Sequence, residues 1–251
     1  MTTQIVMMNR EVLRRHASKD LLAFVEQAWT VLEPGTPFQR TWHVKLLCEH
    51  LQAVTSGQTR QLVINIPPRY GKSLLVSVFW PVWEWIQHPS RRWLFASYSE
   101  ALSTKHSIDR RRLIESPWYR EAYGQVVRLA SDQRTKTDYH NTRRGSMIAT
   151  SLAGSITGKG GNRLVIDDPH SPDQADSDIQ RDRGVQRYRQ TFATRLNDKK
   201  SDATVLVMQR LHCEDLTAIC LDLGFEHVCL PAIARTKTTI VFPISGRQKV
   251  R

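Results

Sequence analysis

The sequence predicts an α/β fold with a mostly parallel, doubly wound sheet flanked by helices. Two observations carry that prediction. Short, nearly continuous apolar runs, "RQLVINI" (60–66), "RLVIDD" (163–168) and "ATVLVMQR" (203–210), read as strands buried on both faces. They alternate with longer segments whose apolar residues recur at helical spacing, the pattern of strand–helix–strand units.

The elements follow in order. Residues 11–32 read as a helix on Val12, Leu13, Leu21, Leu22, Val25 and Leu32, and "EPGTPFQ" (33–39) as a turn-rich linker. Residues 41–56 read as a helix with Val44, Leu46, Leu47, Leu51 and Val54 spaced for one face, and Gly57 ends that helix. After the strand at 60–66, helical pattern resumes from Lys72 to Ile86. "RRWLFASYS" (91–99) is a strand, followed by a helix to about Glu115. Residues 137–152 read as strand, turn at Arg143-Arg144-Gly145, and strand. Beyond the strand at 163–168, residues 177–196 are polar and helical. The strand at 203–210 precedes a short helix (213–223) and a last strand (226–230). There are no internal repeats and no low-complexity tract.

Composition narrows the class. The 251 residues are 40% hydrophobic, enough for a sizeable core. No stretch reaches the roughly 20 apolar residues that span a bilayer, and the N-terminus lacks the apolar core and cleavage site of a signal peptide. Cys48, Cys213, Cys220 and Cys229 show no paired C-x-x-C spacing and read as reduced cytosolic thiols, not zinc ligands or disulfides. A net charge of +12 favours a polyanionic partner. The basic runs are Arg110-Arg111-Arg112, Arg143-Arg144 and Lys199-Lys200, each a solvated surface if taken singly and together a possible phosphate-tracking surface.

The chemistry centres on "INIPPRYGKSLL" (64–75). It matches G-x-x-x-x-G-K-[ST], with Ile66 in the first glycine's place. Such a loop, between strand and helix, wraps a phosphate in backbone N–H groups at a helix N-terminus. Gly71 lets the chain turn close to the phosphate, Lys72 reaches the β/γ-phosphates, and Ser73 suits Mg²⁺. Pro67 and Pro68 donate no N–H, so the cradle departs from the usual one, and Arg69 adds a cation. A plain strand–turn–helix with a surface lysine would read the same way. The partner motif is "RLVIDDP": Asp167 is the expected metal ligand and Asp168 the expected general base for an attacking water. An acidic pair after a strand also suits a helix cap. A third polar strand end, Gln209-Arg210 in "VLVMQRLHCEDL", is placed to feel a γ-phosphate.

Taken as an ordered set, these motifs resemble the ATPase domain of the large terminase subunit of tailed bacteriophages. The matching stretches run from "TWHVKLLCEHL" and "LVINIPPRYGKSLLVSVFWPVWEW" through "WLFASYSEALS", "SLAGSITGKGGNRLVIDDP" and "QTFATRLND" to "VLVMQRLHCEDL", roughly residues 40 to 235. The resemblance implies a RecA-like P-loop NTPase, with ATP and Mg²⁺, that threads double-stranded DNA into a procapsid. It also implies a portal protein and a small terminase subunit as partners, and a homo-oligomeric ring on the portal. No membrane association is expected; the setting is the host cytoplasm and, transiently, the portal vertex.

By position, Pro68, Arg69, Tyr70, Gly71, Lys72 and Ser73 fall on the phosphate loop, Asp167 and Asp168 on the metal and base positions, and Gln209 where the family usually has threonine. Gln39 or His43 falls on the adenine element, with Phe38 or Trp42 stacking nearby. The "GSITGKGGNR" stretch offers Lys159 and Arg163, and more weakly Arg195, as a cation acting across subunits, with Arg69 as the alternative in cis. The expected organisation is an N-terminal helical extension and linker (1–38), the ATPase domain (39–235) and a tail (236–251) leading toward an absent nuclease domain. After Asp222 the chain has only one acid, Glu226, so a two-metal nuclease cluster is not expected. The competing readings are a superfamily-2-like DNA-dependent ATPase or helicase core, a non-hydrolysing basic DNA-binding module, and a small-molecule kinase.

Overall fold

In β1 (Gln61–Asn65), Leu62 and Ile64 face one side of the sheet and Val63 the other. The same alternation in the neighbouring strands makes two apolar faces, and both are covered. A computed structural model describes residues 2–156 and 158–251, with the side chains of residues 2–7, 9, 133 and 134 left out. Helices α1 (Thr2–Lys19), α2 (Leu21–Leu32) and α3 (Trp42–Thr55) precede β1. A π-helical stretch (Leu74–Phe79) runs into α4 (Trp80–Gln87), followed by β2 (Arg92–Ser97), α5 (Glu100–Glu115) and α6 (Pro117–Tyr123). Then come β3 (Leu129–Arg134), β4 (Asp138–Asn141), β5 (Ser146–Ser151) and β6 (Arg163–Asp167). Helices α7 (Pro172–Asp176) and α8 (Asp178–Arg187), a π-helical turn (Tyr188–Phe192), β7 (Ala203–Met208), α9 (Leu216–Asp222) and β8 (Glu226–Cys229) follow. A small hairpin, β9 (Thr239–Val241) and β10 (Gln248–Val250), completes the order.

Eight strands form one sheet in the order β3-β4-β5-β2-β6-β7-β1-β8. The run from β5 to β8 is parallel; β3 and β4 add an antiparallel edge. One face packs Trp93, Phe95, Val165 and Val205 against α2 to α6, with Trp80, Trp83 and Trp85 buried among them. The other packs Leu94, Leu164, Ile166 and Leu206 against Val185, Tyr188, Phe192 and α9. The predicted mixed α/β fold with a mostly parallel sheet flanked by helices is what is observed.

Several local readings are refined. The predicted helix 11–32 is two helices, because Asp20 leaves helical geometry and its carboxylate caps Ala23 N. The segment expected as an extension supplies Leu21, Phe24 and Val25 to the main core, and Phe242, in the expected tail, is buried in the same core. Glu49 fastens that tail by accepting from Ile244 N, Ser245 N and Ser245 Oγ. The strand β3, helix α6 and the β9–β10 hairpin have no counterpart in the sequence reading. Of the arginine run 110–112, Arg110 is fully buried, not a solvated surface residue. Among the described residues no helix is long and apolar enough to cross a membrane.

Candidate functional site

Register brings the site together. Asp167 pairs with Val207 and Asn65 with Met208, so β6, β7 and β1 end side by side and their exit loops meet above one sheet edge. The loop from Ile66 to Ser73 leaves β1 there. It turns at Arg69 (φ 67°) and Gly71 (φ 74°), both in left-handed backbone. Glycine suits that geometry at no steric cost; Arg69 is a non-glycine residue held in it. Leu75 N donates to Gly71 O at 3.0 Å, so the helical bonding starts inside the loop.

Lys72 is buried and its Nζ reaches both acids, in direct contact with Asp168 Oδ2 and 4.0 Å from Asp167 Oδ1. Ser73 Oγ donates to Asp167 Oδ1 at 3.0 Å. Two residues that the sequence reading missed hold the other oxygen. Ser77 Oγ donates to Asp167 Oδ2 at 2.7 Å, and His106 Nδ1 lies 3.5 Å from it. Ser77 lies four residues past Ser73, and the π-helical stretch of Leu74–Phe79 spans it. Pro81 has no N–H to offer the Ser77 carbonyl four residues back. Arg110 Nη1 donates to that carbonyl instead, at 2.5 Å, while its guanidinium stacks 3.6 Å from the Phe95 ring centre. The signal for Ser77 was its four-residue spacing from Ser73, and His106 and Arg110 share that spacing on α5.

Burial raises the Asp167 carboxyl, with Lys72 and the two serines pulling the other way. Burial and the neighbouring charge of Asp167 raise Asp168, opposed by Lys72. His106 is pushed down to about 4 by burial and by Arg110, so it is neutral at pH 7. Asp168 itself has left-handed backbone (φ 47°), fixed on both sides because its N–H donates to Val207 O and its carbonyl accepts from Tyr98 N. Its Oδ1 accepts from Gln209 N at 3.4 Å.

Gln209 therefore reaches the site through its backbone. Arg210 turns away, donating to the His212 and Cys213 carbonyls. His43 and Tyr70 pack edge to face, with ring centres 5.4 Å apart, on a cavity of about 240 Å³ beside the loop that Trp42, Ile66, Leu230 and Lys249 also line. Gln39 is exposed on the linker and does not line this cavity, and Phe38 packs on Trp29 instead. A larger cavity, about 650 Å³, opens between Tyr98, Pro169, His170 and α8.

The expectation that Arg163 projects toward a neighbouring subunit is corrected. It is 1% exposed, its Nε and Nη2 both donate to Glu84 Oε1 (3.1 and 2.8 Å), and it starts β6 at the edge opposite Asp167. Burying a guanidinium demands a partner, and Glu84 meets that need inside the core. Lys159 is exposed and paired with Asp138 at 3.0 Å. Arg195 donates to Thr191 O in its own turn.

Oxygen ligands and a cation suit a magnesium-bound polyphosphate. Ser73 and Asp167 offer hard oxygen donors, and Mg²⁺ needs only one or two protein ligands beside phosphate and water. Among the described residues no group of three or more His, Cys, Asp or Glu forms an all-protein metal cage.

No family model matches the chain, and no curated protein matches it. Among solved structures it is similar to the crystal structure of the HK97 bacteriophage large terminase, with a TM-score of 0.55 and 15% identity over 84% of this chain. The chain spans 43% of the length of that terminase. At this identity the likeness concerns the fold: the chain has a terminase-like α/β fold.

Proposed function

We propose that this chain is the ATP-hydrolysing motor domain of a viral terminase and that it drives double-stranded DNA into a procapsid. The observation that carries this reading is the meeting of Lys72, Ser73, Asp167 and Asp168, from two strands distant in sequence, at one helix start. The similarity of fold to a phage large terminase supports it.

In this reading Lys72 leaves Asp168 to bind the β- and γ-phosphates of ATP, and the backbone turn at Arg69 and Gly71 wraps them. Ser73 and Asp167 would hold magnesium, which when bound would neutralise charge on the phosphate oxygens. Asp168, freed from Lys72 and with a carboxyl raised by burial, accepts the proton of the attacking water. Tyr70, His43 and Trp42 line the place for the base. Of the three cations proposed to act across subunits, Lys159 is the exposed one, and that role requires it to leave Asp138. A portal protein, a small terminase subunit and a homo-oligomeric ring in the host cytoplasm belong to the same proposal, and DNA cleavage by this chain does not. Plasmid incubated with the protein and Mg²⁺ or Mn²⁺ should stay intact. The motor assignment is tested by steady-state ATP turnover with and without duplex DNA, and a protein without turnover in either condition contradicts it.

A further inference from the structure

The parallel strands begin flush. Arg92 pairs with Ser146, Trp93 with Arg163, Arg163 with Ala203 and Gln61 with Thr204. The turns that lead into β5, β2, β6, β7 and β1 therefore lie in a row, at the sheet edge opposite Asp167. Four strand spacings make that row about 19 Å long. It is continuous: Asn141 Nδ2 donates to Pro89 O, Arg92 N to Asn162 Oδ1, Ala203 N to Asn162 O, and Arg60 Nη1 to Lys200 O.

The row carries Arg143 and Arg144 at one end, Arg92 in the middle, and Lys199, Lys200 and Arg60 at the other, all exposed. Among the described residues none of these six side chains makes an ion pair with an acid. Arg91, beside Arg92, lies 4.0 Å from the buried Asp202. The exposed acid within the row, Asp198, accepts from Lys200 N and Ser201 Oγ within its own turn, and these bonds, with the charge of Arg60 nearby, hold its carboxyl below the ordinary value. Among the described residues none of the large exposed apolar side chains lies on these turns. A protein partner would call for an apolar or aromatic centre, whereas a phosphate backbone calls for cations and polar groups alone.

We propose that this strand-start edge is the surface on which the chain tracks the phosphate backbone of a duplex, independently of sequence. About 19 Å of contact matches some six base pairs of axial rise. The inference rests on the motor reading for its partner, and it separates the duplex-binding edge from the hydrolytic edge by the length of the strands.

The test is binding of a labelled duplex of arbitrary sequence, read by fluorescence anisotropy between 50 and 200 mM salt. The edge variant carries Arg143→Ala, Arg144→Asn, Lys199→Ala and Lys200→Ala; asparagine tolerates the left-handed backbone of Arg144 (φ 66°). A control removes as exposed a pair elsewhere, Lys105→Ala with Arg112→Ala on α5. The edge variant should flatten the slope of log affinity against log salt by about 0.9 for each phosphate it no longer neutralises. The control should keep the wild-type slope, and ATP turnover without DNA should be unchanged in both. An edge variant with the wild-type slope overturns the proposal. So does wild-type protein that binds phosphatidylserine vesicles but not the duplex. A flattened slope in a protein without ATP turnover would keep the edge and remove the motor reading; normal turnover with an unaltered slope would do the reverse.

Discussion

Lys72 and Asp168, ninety-six residues apart in the chain, are in direct side-chain contact. In the motor reading, the lysine on which a phosphate would draw sits on the carboxylate that would activate water, and the two cannot be used until they part. Substrate binding at Lys72 and release of Asp168 become one event. In that reading the cation keeps the base from acting until a phosphate draws it away.

Asp168→Asn tests the base directly. Asparagine keeps the shape and the acceptor for Gln209 N but takes no proton. Equilibrium binding of nucleotide should persist within a few-fold, while turnover drops by about 10²-fold or more. Loss of binding in parallel with turnover would make Asp168 a ligand of the metal or phosphate instead.

Ser77→Ala removes the 2.7 Å hydrogen bond to Asp167 Oδ2 and leaves a buried carboxylate oxygen with only His106 nearby. Stability should fall by about 1–3 kcal/mol. The magnesium concentration for half-maximal turnover should rise, because Asp167 loses its fixed orientation. A magnesium titration identical to wild type would show that Ser73 alone orients the carboxylate.

Arg163→Met separates structure from chemistry. Breaking its buried pair with Glu84 should cost about 3–5 kcal/mol, read in denaturant unfolding. Replacing both, Arg163→Met with Glu84→Leu, should recover much of that loss. Turnover per folded molecule should match wild type in the double variant, whereas a residue acting across subunits would leave it inactive.

His50 predicts an acid limit. Burial pushes it down to about 4, and its buried Nδ1 has no hydrogen-bond partner among the described residues. The unfolded chain, with an ordinary value of 6.5, then binds more protons than the folded one. The stability that this contributes is fully present above pH 6.5 and is lost as pH falls toward 4. The melting temperature should decline across that window, and His50→Asn should make the decline shallower.

Much of this was legible in the sequence, and the limits have physical causes. The strands of the sheet centre were readable because burial on both faces makes them continuous apolar runs, as in "LVINI" and "RLVID". β3 escaped because it is the edge strand of the sheet, and the β9–β10 hairpin because it is a separate two-stranded sheet of three-residue, largely exposed strands, where no continuous apolar run forms. Lys72, Ser73, Asp167 and Asp168 were legible as motifs, and the register of β1, β7 and β6 brings them together. Ser77, His106 and Arg110 were not, since their roles depend on a π-helical stretch and on α5 packing beneath Asp167. Arg163 misled because a glycine-rich approach suggests projection, while its partner Glu84 lies on a different element and cannot be inferred from spacing.

The most direct measurement is steady-state ATP hydrolysis by wild-type protein and by Lys72→Met, with Mg²⁺ present. Methionine keeps the length of the side chain but removes the charge that meets Asp167 and Asp168. Turnover in the wild type and a loss of about 10²-fold or more in Lys72→Met, with the variant still folded by circular dichroism, is the expected result. Wild-type protein that hydrolyses no ATP, or a Lys72→Met variant within a few-fold of wild type, would contradict the assignment of this loop and acid pair as a nucleotide-hydrolysing site.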